Sequence, residues 1–384
     1  MARCSKAIIY SQNIKHNIKE ILKCLDPKTK LCIAVKADGY GTNAYITAKI
    51  ASELGIEYFA VATVNEGIEL RENGITSHIL LLSLCTPEEY DDIFKYNITP
   101  LLFNEENIKH FSNAADSYFS KGEKFEVQLA VDTGMGRIGC YSHEAGFQAK
   151  LINQSKHLKL SGMATHFAVS DSLSKENVEF TKRQYEDFVL AIENVKKEGI
   201  EPGICSCSNS AAIINNFDMH INMVRAGIIV YGYYPDEITQ KYLKSKNKDI
   251  ELKPTLSLET KVVAIRHFPK GKSISYGRTY ICSEDTDIAI LPIGYADGLL
   301  RRFSPGLTVT INGKDYPIRG RICMDQCMVE LGKNHNVKLF DKVMIFGPKE
   351  SGATNTAEEL AKIGNTISYE VLTSISKRIE RINN

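Results

Sequence analysis

Residues 131–140, VDTGMGRIGC, set Gly134, Gly136 and Gly139 in the spacing G-x-G-x-x-G directly after an apolar run. Between a strand and a helix, with a carboxylate about 20 residues on, that spacing holds a dinucleotide's pyrophosphate and ribose. KFEVQLAVD supplies a strand and HEAGFQAKLINQ a helix. The next strand-like run, LKLSGMATHF, carries Lys159, Thr165 and His166 but no carboxylate. The dinucleotide reading also leaves Asp132 and Arg137 without a use. A second chemistry starts at Lys36, which closes the apolar run in AVKADGYG. Burial lowers an amine's pKa, and the neutral amine is a nucleophile able to form a Schiff base. A lysine snorkelling to solvent is the plainer alternative. Further polar residues end later apolar runs: Thr165 and His166, then Ser208-Asn209-Ser210, then Arg225 followed by Gly227-Ile228.

The elements that must position these residues are legible as alternation. KLCIAVK precedes AYITAKIASELG, YFAVAT precedes NEGIELRENG, HILLLS precedes PEEYDDIFKY, and TPLLFN precedes ENIKHFSNAADSYF. KFEVQLAVD, LKLSGMATHF and ICSCS each lead into a helical segment, and NMVRAGIIVYG is the last run. Eight strand–helix units within roughly 200 residues predict an N-terminal (β/α)8 barrel whose final helix is short or displaced. An open doubly wound sheet also fits the alternation. SQNIKHNIKEILKCL lies ahead of the first strand and is expected under or beside the barrel. From about residue 245, strand-like runs such as PTLSLETKVVAIRHF, TDIAILPIG, LTVTING and CMVELG are separated by turn signals including PKGK and NGKD. They predict a C-terminal, mainly β domain ending in helical TAEELAKIG and ISYEVLTSISKRIERI. A boundary in YYPDEITQKYLKSKNKD gives units of residues 1–240 and 241–384.

In such a barrel, functional residues sit at the C-terminal ends of the strands, and phosphate binds between the loops after strands seven and eight. Ser210, Gly227 and Ile228 are placed for that, with helix capping the plainer use of the serines. A lysine amine and a phosphate site in one barrel suggest pyridoxal phosphate (PLP), whose aldehyde takes the lysine.

Charge and cysteine content narrow the classes. Forty-seven basic and 46 acidic residues leave a net charge of +1, which marks neither a nucleic-acid binder nor a membrane-surface protein. The ten cysteines are scattered, and C-x-C at 205–207 and C-x-x-x-C at 323–327 lack a histidine at zinc-finger spacing, so no metal is expected. No run approaches the ~18 apolar residues of a membrane span. The N-terminal apolar run AIIY is too brief for a signal-peptide core, so a cytoplasmic location is expected.

In order along the chain, AVKADGYG, DTGMGRIG, THFAVSD, SNSAA, VRAGIIVYG, ISYGRTY, IGYADG, GRICMDQ and ISYEV resemble the motifs of bacterial alanine racemases. The resemblance spans nearly the whole chain and implies the barrel-plus-β-domain fold just described. It implies interconversion of L- and D-alanine with PLP, supplying D-alanine for peptidoglycan, in a homodimer whose active sites are shared. Lys36 would hold PLP and serve as one catalytic base, and Tyr276 of the partner subunit would be the other. A free tyrosine titrates near 10 and needs help to act as a base near neutrality; in the family, His166 and Arg137 neighbour that hydroxyl. Arg225 would face the PLP ring nitrogen and, holding its own proton, keep the ring unprotonated. Tyr40, Ser210, Gly227, Ile228 and Tyr369 would bind the phosphate. Arg137 and the backbone N–H of Met324, the latter from the partner subunit, would hold the substrate carboxylate. Asp171, Tyr295 and Arg321 match positions along the route by which substrate arrives.

Two positions depart from the family pattern. Ala130 stands where many members carry a carbamylated lysine bonded to the arginine equivalent to Arg137, so a chloride ion or water is expected to partner Arg137 instead. Ser206 stands where the family usually has a histidine supporting Arg225, and the shorter serine is expected to hold it more loosely. Both leave broader specificity, or serine racemisation, as alternatives. An amino-acid decarboxylase is disfavoured by Arg225, since decarboxylases of similar architecture place a carboxylate at the ring nitrogen. A PLP-binding homeostasis protein would be a single barrel with no counterpart of SYG or CMD.

Overall fold

The computed structural model describes residues 4–384. The barrel is built from β2 (Lys30–Ala34), β3 (Tyr58–Val61), β4 (His78–Leu81), β5 (Ile98–Thr99), β6 (Leu101–Leu102), β7 (Phe125–Ala130), β8 (Leu158–Ala164), β9 (Ile204–Ser206) and β10 (Met223–Ala226); β1 (Lys6–Ile9) precedes them and lies elsewhere. All nine segments pair in parallel in the order β5-β4-β3-β2-β10-β9-β8-β7-β6. The two ends of that order, β5 and β6, are halves of one strand broken at Pro100, whose missing N–H cannot join a ladder. The Pro100 carbonyl still accepts from Gln128 N, so the sheet closes through the break. The eight runs read from the sequence are therefore eight barrel strands. Their residues are mostly buried on both faces, as parallel strands covered by helices must be. After β10 the expected last helix is a short 3-10 turn, Ile228–Tyr231.

Residues 256–383 form a second, mainly strand unit. It contains β11 (Leu256–Lys261), β12 (Ala264–Phe268), β13 (Ser273–Ile274), β14 (Tyr280–Ile281), β15 (Thr286–Leu291), β16 (Thr308–Ile311), β17 (Lys314–Pro317), β18 (Cys327–Gly332), β19 (Lys342–Phe346) and β20 (Glu380–Asn383). The NGKD signal is the β16–β17 hairpin, with Asn312 and Gly313 both at positive φ as a two-residue primed turn demands.

Two features differ from the sequence reading. First, β1 joins the second unit's sheet, antiparallel to β11, so the chain's first strand crosses the 240/241 division. Second, ISYEVLTSISKRIERI is not one helix. The helix stops at Thr373, and β20 pairs in parallel with β1. Apolar residues at 367, 371, 375 and 379 keep helical spacing, but pairing with the open edge of β1 overrides it.

The helix Ser11–Lys23 packs beside the barrel, against the 228–231 turn and the helix Ala44–Glu53. Its Asn17 is fully buried and stitches the units together. Asn17 Nδ2 donates to the carbonyls of Val230 (3.0 Å) and Lys253 (2.8 Å), and Oδ1 accepts from Lys253 N (2.8 Å). Asn17→Ala strands three backbone groups in the interior and is expected to cost about 2–4 kcal/mol. Urea denaturation checks this; a loss below about 1 kcal/mol would refute the stitching role.

Candidate active site

Lys36 lies just past the end of β2 and opens a rare backbone turn. Ala37, Asp38, Gly39 and Tyr40 all sit near φ +50 to +60°, one turn of left-handed helix. Three are not glycine, and each non-glycine costs about 1–2 kcal/mol in that region. The turn is closed by hydrogen bonds from Gly39 N to Val35 O (2.8 Å) and Gly41 N to Ala37 O (3.0 Å). It throws Lys36 and Tyr40 toward the same cavity, about 300 Å³ in volume at the C-terminal mouth of the barrel. Also facing that cavity are His166, Asp171, Ser210, Arg225, Gly227 and Tyr369.

Arg225, on β10, is 6% exposed. Nη1 donates to the Ser206 carbonyl (2.8 Å) and to Ser206 Oγ; Nη2 reaches the carbonyls of Thr165 and Cys207 and His166 Nδ1 (3.4 Å). Ser206 thus does support the guanidinium, through both its backbone and its hydroxyl. Nε–H is left with no protein acceptor among the described residues. Arginine only donates, so His166 Nδ1 must accept, which fixes the neutral imidazole with its proton on Nε2. Burial, reinforced by Arg225, Arg137 and Lys36, pushes His166 down to about 3. Burial also lowers the Lys36 amine, helped by Arg137 and opposed by Glu66. Two cationic side chains, Lys36 and Arg225, and one neutral histidine line this cavity, which suits it to an anion.

At the other side, Gly227 N donates to Ser210 Oγ (2.9 Å). A Cβ on Gly227 would fall 2.5 Å from Tyr40 Oη and 3.6 Å from Ser210 Oγ, so glycine keeps a cradle of two hydroxyls open there. Ile228 N opens the 228–231 turn and has no acceptor within it. Tyr40 stacks on buried Tyr231 (4.6 Å between centroids) and lies 5.9 Å from the ring of Tyr369. Burial raises both site phenols, Tyr40 to about 12, so they donate rather than ionise. Burial likewise raises Asp171.

The glycine-rich stretch has a different job from the one its spacing suggests. Asp132 Oδ1 accepts from Gly134 N (2.9 Å) and Gly136 N (3.1 Å), folding the loop back on itself. Gly139, at φ +138°, lets Cys140 return against β7; a Cβ there would lie 2.2 Å from Asp132 N. The loop carries Arg137 to a second cavity of about 110 Å³, shared with Lys36, Ala130, Thr165, His166 and Arg225.

Tyr276, Tyr295, Arg321 and Met324 line neither cavity. They gather on the second unit instead. Ser275 Oγ donates to the Arg321 carbonyl (2.6 Å), the Arg321 guanidinium lies over Gly277, and Tyr295 N and Ala296 N donate to Cys323 and Met324 carbonyls. Tyr276, Met324 and Tyr295 are 67%, 53% and 40% exposed, a polar–aromatic face directed outward. Within one chain the predicted residues therefore form two groups. Sequence reading missed Leu82 and Thr373 on the first cavity's wall, and noted Asn209 there without giving it a role. Leu82 was findable, since it follows β4 at the barrel mouth; Thr373 was not, since it arrives from the far end of the chain.

The family model described as "Alanine racemase, N-terminal domain" matches residues 9–235, and "Alanine racemase, C-terminal domain" matches residues 255–383. The chain belongs to the alanine racemase family. An alanine racemase of Treponema denticola is 45% identical over 99% of this chain and 98% of its own length. The alanine racemase of Clostridium difficile 630 superimposes with a TM-score of 0.91 at 37% identity, covering 100% of this chain and 96% of that one. A Bacillus anthracis alanine racemase with bound L-Ala-P gives 0.90 at 32% identity, covering 100% and 96%. Family membership makes this chain an isomerase on a TIM-type barrel.

The buried histidine has a measurable signature. His166 titrates near 6.5 when unfolded and near 3 when folded. As pH falls below 6.5 the unfolded chain takes the proton first, so this contribution to stability is complete above 6.5 and drains away toward 3. At pH 5, His166→Gln should recover about 2 kcal/mol of the acid-induced loss seen in the parent protein. Denaturant melts of both at pH 7.5 and 5 test it; parallel losses would place the histidine's titration elsewhere.

Proposed function

We propose that this protein interconverts L-alanine and D-alanine with PLP as cofactor and two bases, supplying D-alanine for peptidoglycan from the cytoplasm. The reading is carried by one cavity in which a lysine of lowered pKa, an unpaired arginine Nε–H and a cradle of hydroxyls converge, in a chain of this family. PLP fits that set: Lys36 would hold its aldehyde end, Arg225 Nε–H would face its ring, and Tyr40, Ser210, Gly227, Ile228 and Tyr369 would hold its phosphate. Ten free cysteines suit a reducing compartment, and among the described residues no helix is long and apolar enough to cross a membrane.

PLP, when bound, supplies the electron sink that acidifies the α-proton of an amino acid. The chain's own residues do the rest. Arg137 and the Met324 backbone N–H, the latter from a second copy, hold the substrate carboxylate. Lys36, already easier to deprotonate than a free amine, moves the α-proton on one face. Tyr276 of the partner subunit moves it on the other. Inversion needs a base on each face, and on this reading the chain's own cavity supplies Lys36 for one of them. The outward aromatic group on the second unit supplies the other if two copies pair head to tail, which supports a homodimer with shared sites. Arg225 does not yield its proton, so beside a bound ring nitrogen it would donate a hydrogen bond without protonating it, which would restrain transamination. Asp171, Tyr295 and Arg321 flank the approach. The cavity beside Ala130 has room for a chloride ion or water against Arg137.

Purified protein is incubated separately with L-alanine, L-serine and L-arginine, and the D-product measured by chiral chromatography. D-alanine should dominate and vanish in Lys36→Ala. Comparable serine or arginine turnover would instead mean that Ala130 and Ser206 mark a relaxed pocket, and no turnover would reject the reading. Tyr276→Phe should lower racemisation by about 10²–10⁴-fold while leaving bound PLP unchanged. Retention of full rate would remove Tyr276 from the mechanism.

A further inference from the structure

The left-handed turn between Lys36 and Tyr40 is the least comfortable backbone beside the cavity, and two charged side chains grip its ends. Glu66, on the helix after β3, accepts from Ala37 N through Oε1 (2.6 Å). Its other oxygen accepts from Ala62 N (2.8 Å) and Thr63 N (3.2 Å), which ties the start of the turn to the end of the neighbouring strand. Arg381, on the chain's last strand, donates from Nε to the Gly41 carbonyl (3.3 Å) at the turn's far end. The same guanidinium takes the carbonyls of Ile375 (2.7 Å), Ser376 (2.6 Å) and Ile379 (2.8 Å), so four backbone carbonyls converge on one side chain. Gly41 itself abuts this segment: a Cβ there would lie 2.3 Å from the Leu372 carbonyl. Glu66 and Arg381 both line a second cleft at the turn, which shares Ala37 and Thr373 with the proposed PLP cavity. Neither side chain lines the PLP cavity.

We propose that Glu66 and Arg381 are positioning residues for the cofactor, holding the left-handed turn so that the Lys36 amine and the Tyr40 hydroxyl stay at the separation PLP requires. The inference rests on reading Lys36 and Tyr40 as PLP ligands. It gives the C-terminal strand a role in the cofactor site of its own barrel, separate from any residue offered to a partner. Lysine cannot reproduce the Arg381 contacts, because one ammonium cannot fan out to four carbonyls as a guanidinium does. Glutamine at position 66 keeps one acceptor oxygen and turns an NH2 group against a backbone N–H.

The test measures PLP affinity of the full chain by titrating the visible absorbance of the lysine-bound cofactor, with alanine KM measured at saturating PLP. Arg381→Ala and Glu66→Gln should each bind PLP about tenfold to a hundredfold more weakly, the range expected for losing a charged hydrogen bond. Arg381→Lys should fall between. Alanine KM at saturating PLP should stay within about twofold, since the carboxylate-holding groups are untouched. Arg378→Ala is the comparison, because it loosens the same tail through Asp297 and Asp325 without touching the turn. Parent-like PLP affinity in both Arg381→Ala and Glu66→Gln overturns the proposal. So does an equal PLP loss in Arg378→Ala. If the parent chain shows no Lys36-dependent absorbance at all, the PLP reading fails first and takes this inference with it.

Discussion

A guanidinium buried without a carboxylate is the constraint around which the site is arranged. Arg225 sits inside the barrel mouth, where an unpaired charge would cost several kcal/mol. Its compensation comes from carbonyl oxygens at the C-terminal ends of neighbouring strands. Parallel strands deliver this: β8, β9 and β10 all end on the same face, so the Thr165, Ser206 and Cys207 carbonyls converge there with no acidic residue required. The histidine beside it must then be neutral, because a second cation at 3.4 Å would be repelled. The neutral state of His166 and the direction left to Arg225 Nε–H both follow from one charge buried at the mouth of a closed barrel.

The same cationic interior acts on the lysine at the barrel mouth. Burial lowers the Lys36 amine, and Arg137 lowers it further, while Glu66 is the opposing acidic influence. Glu66 answers two needs at once. It tempers the positive field and it secures the first N–H of a turn that the backbone would otherwise avoid. The strained turn and the perturbed amine are therefore parts of one arrangement, since the conformation that aims Lys36 also puts Ala37 N where only an acceptor from the next βα unit can reach it. Strain of this kind persists where surroundings over-determine it, and ligand clamps are a common setting.

The barrel was legible because its signal is local. Each βα unit announces itself by alternation, and lysine, histidine and arginine at run ends mark the mouth without knowledge of the strand order. Ser210 and Gly227 were likewise reachable from where phosphate binds in such barrels. Tyr276, Met324 and Tyr369 were not; only the ordered motifs of a family resemblance singled them out. Three kinds of feature stayed hidden for physical reasons. The strand at 380–383 follows a run with helical spacing and is decided by a partner strand at the other end of the chain. The turn at 37–40 contains alanine, aspartate and tyrosine, none of which advertises left-handed backbone. Arg381 looks like any basic residue near a terminus until its four carbonyls are assembled around it.

At the two positions where the sequence departs from the pattern that the resemblance led us to expect, the geometry limits the consequences. Ser206 is shorter than histidine, yet Arg225 Nη1 binds its hydroxyl and its carbonyl together, and the carbonyl would be present whatever the side chain. The looser hold expected from a short side chain therefore touches one of five contacts. Ala130 is different in kind. It shares a cavity with Arg137 but offers it no polar group, and no described residue gives the Arg137 side chain a hydrogen bond. Arg137 also rides on a loop folded by Asp132 and pivoting at Gly139, so its position is set at the loop's ends rather than at its head group. A side chain held that way can follow its ligand. Alanine at position 130 thus leaves the Arg137 head group free to move, while serine at 206 leaves the hold on Arg225 nearly complete.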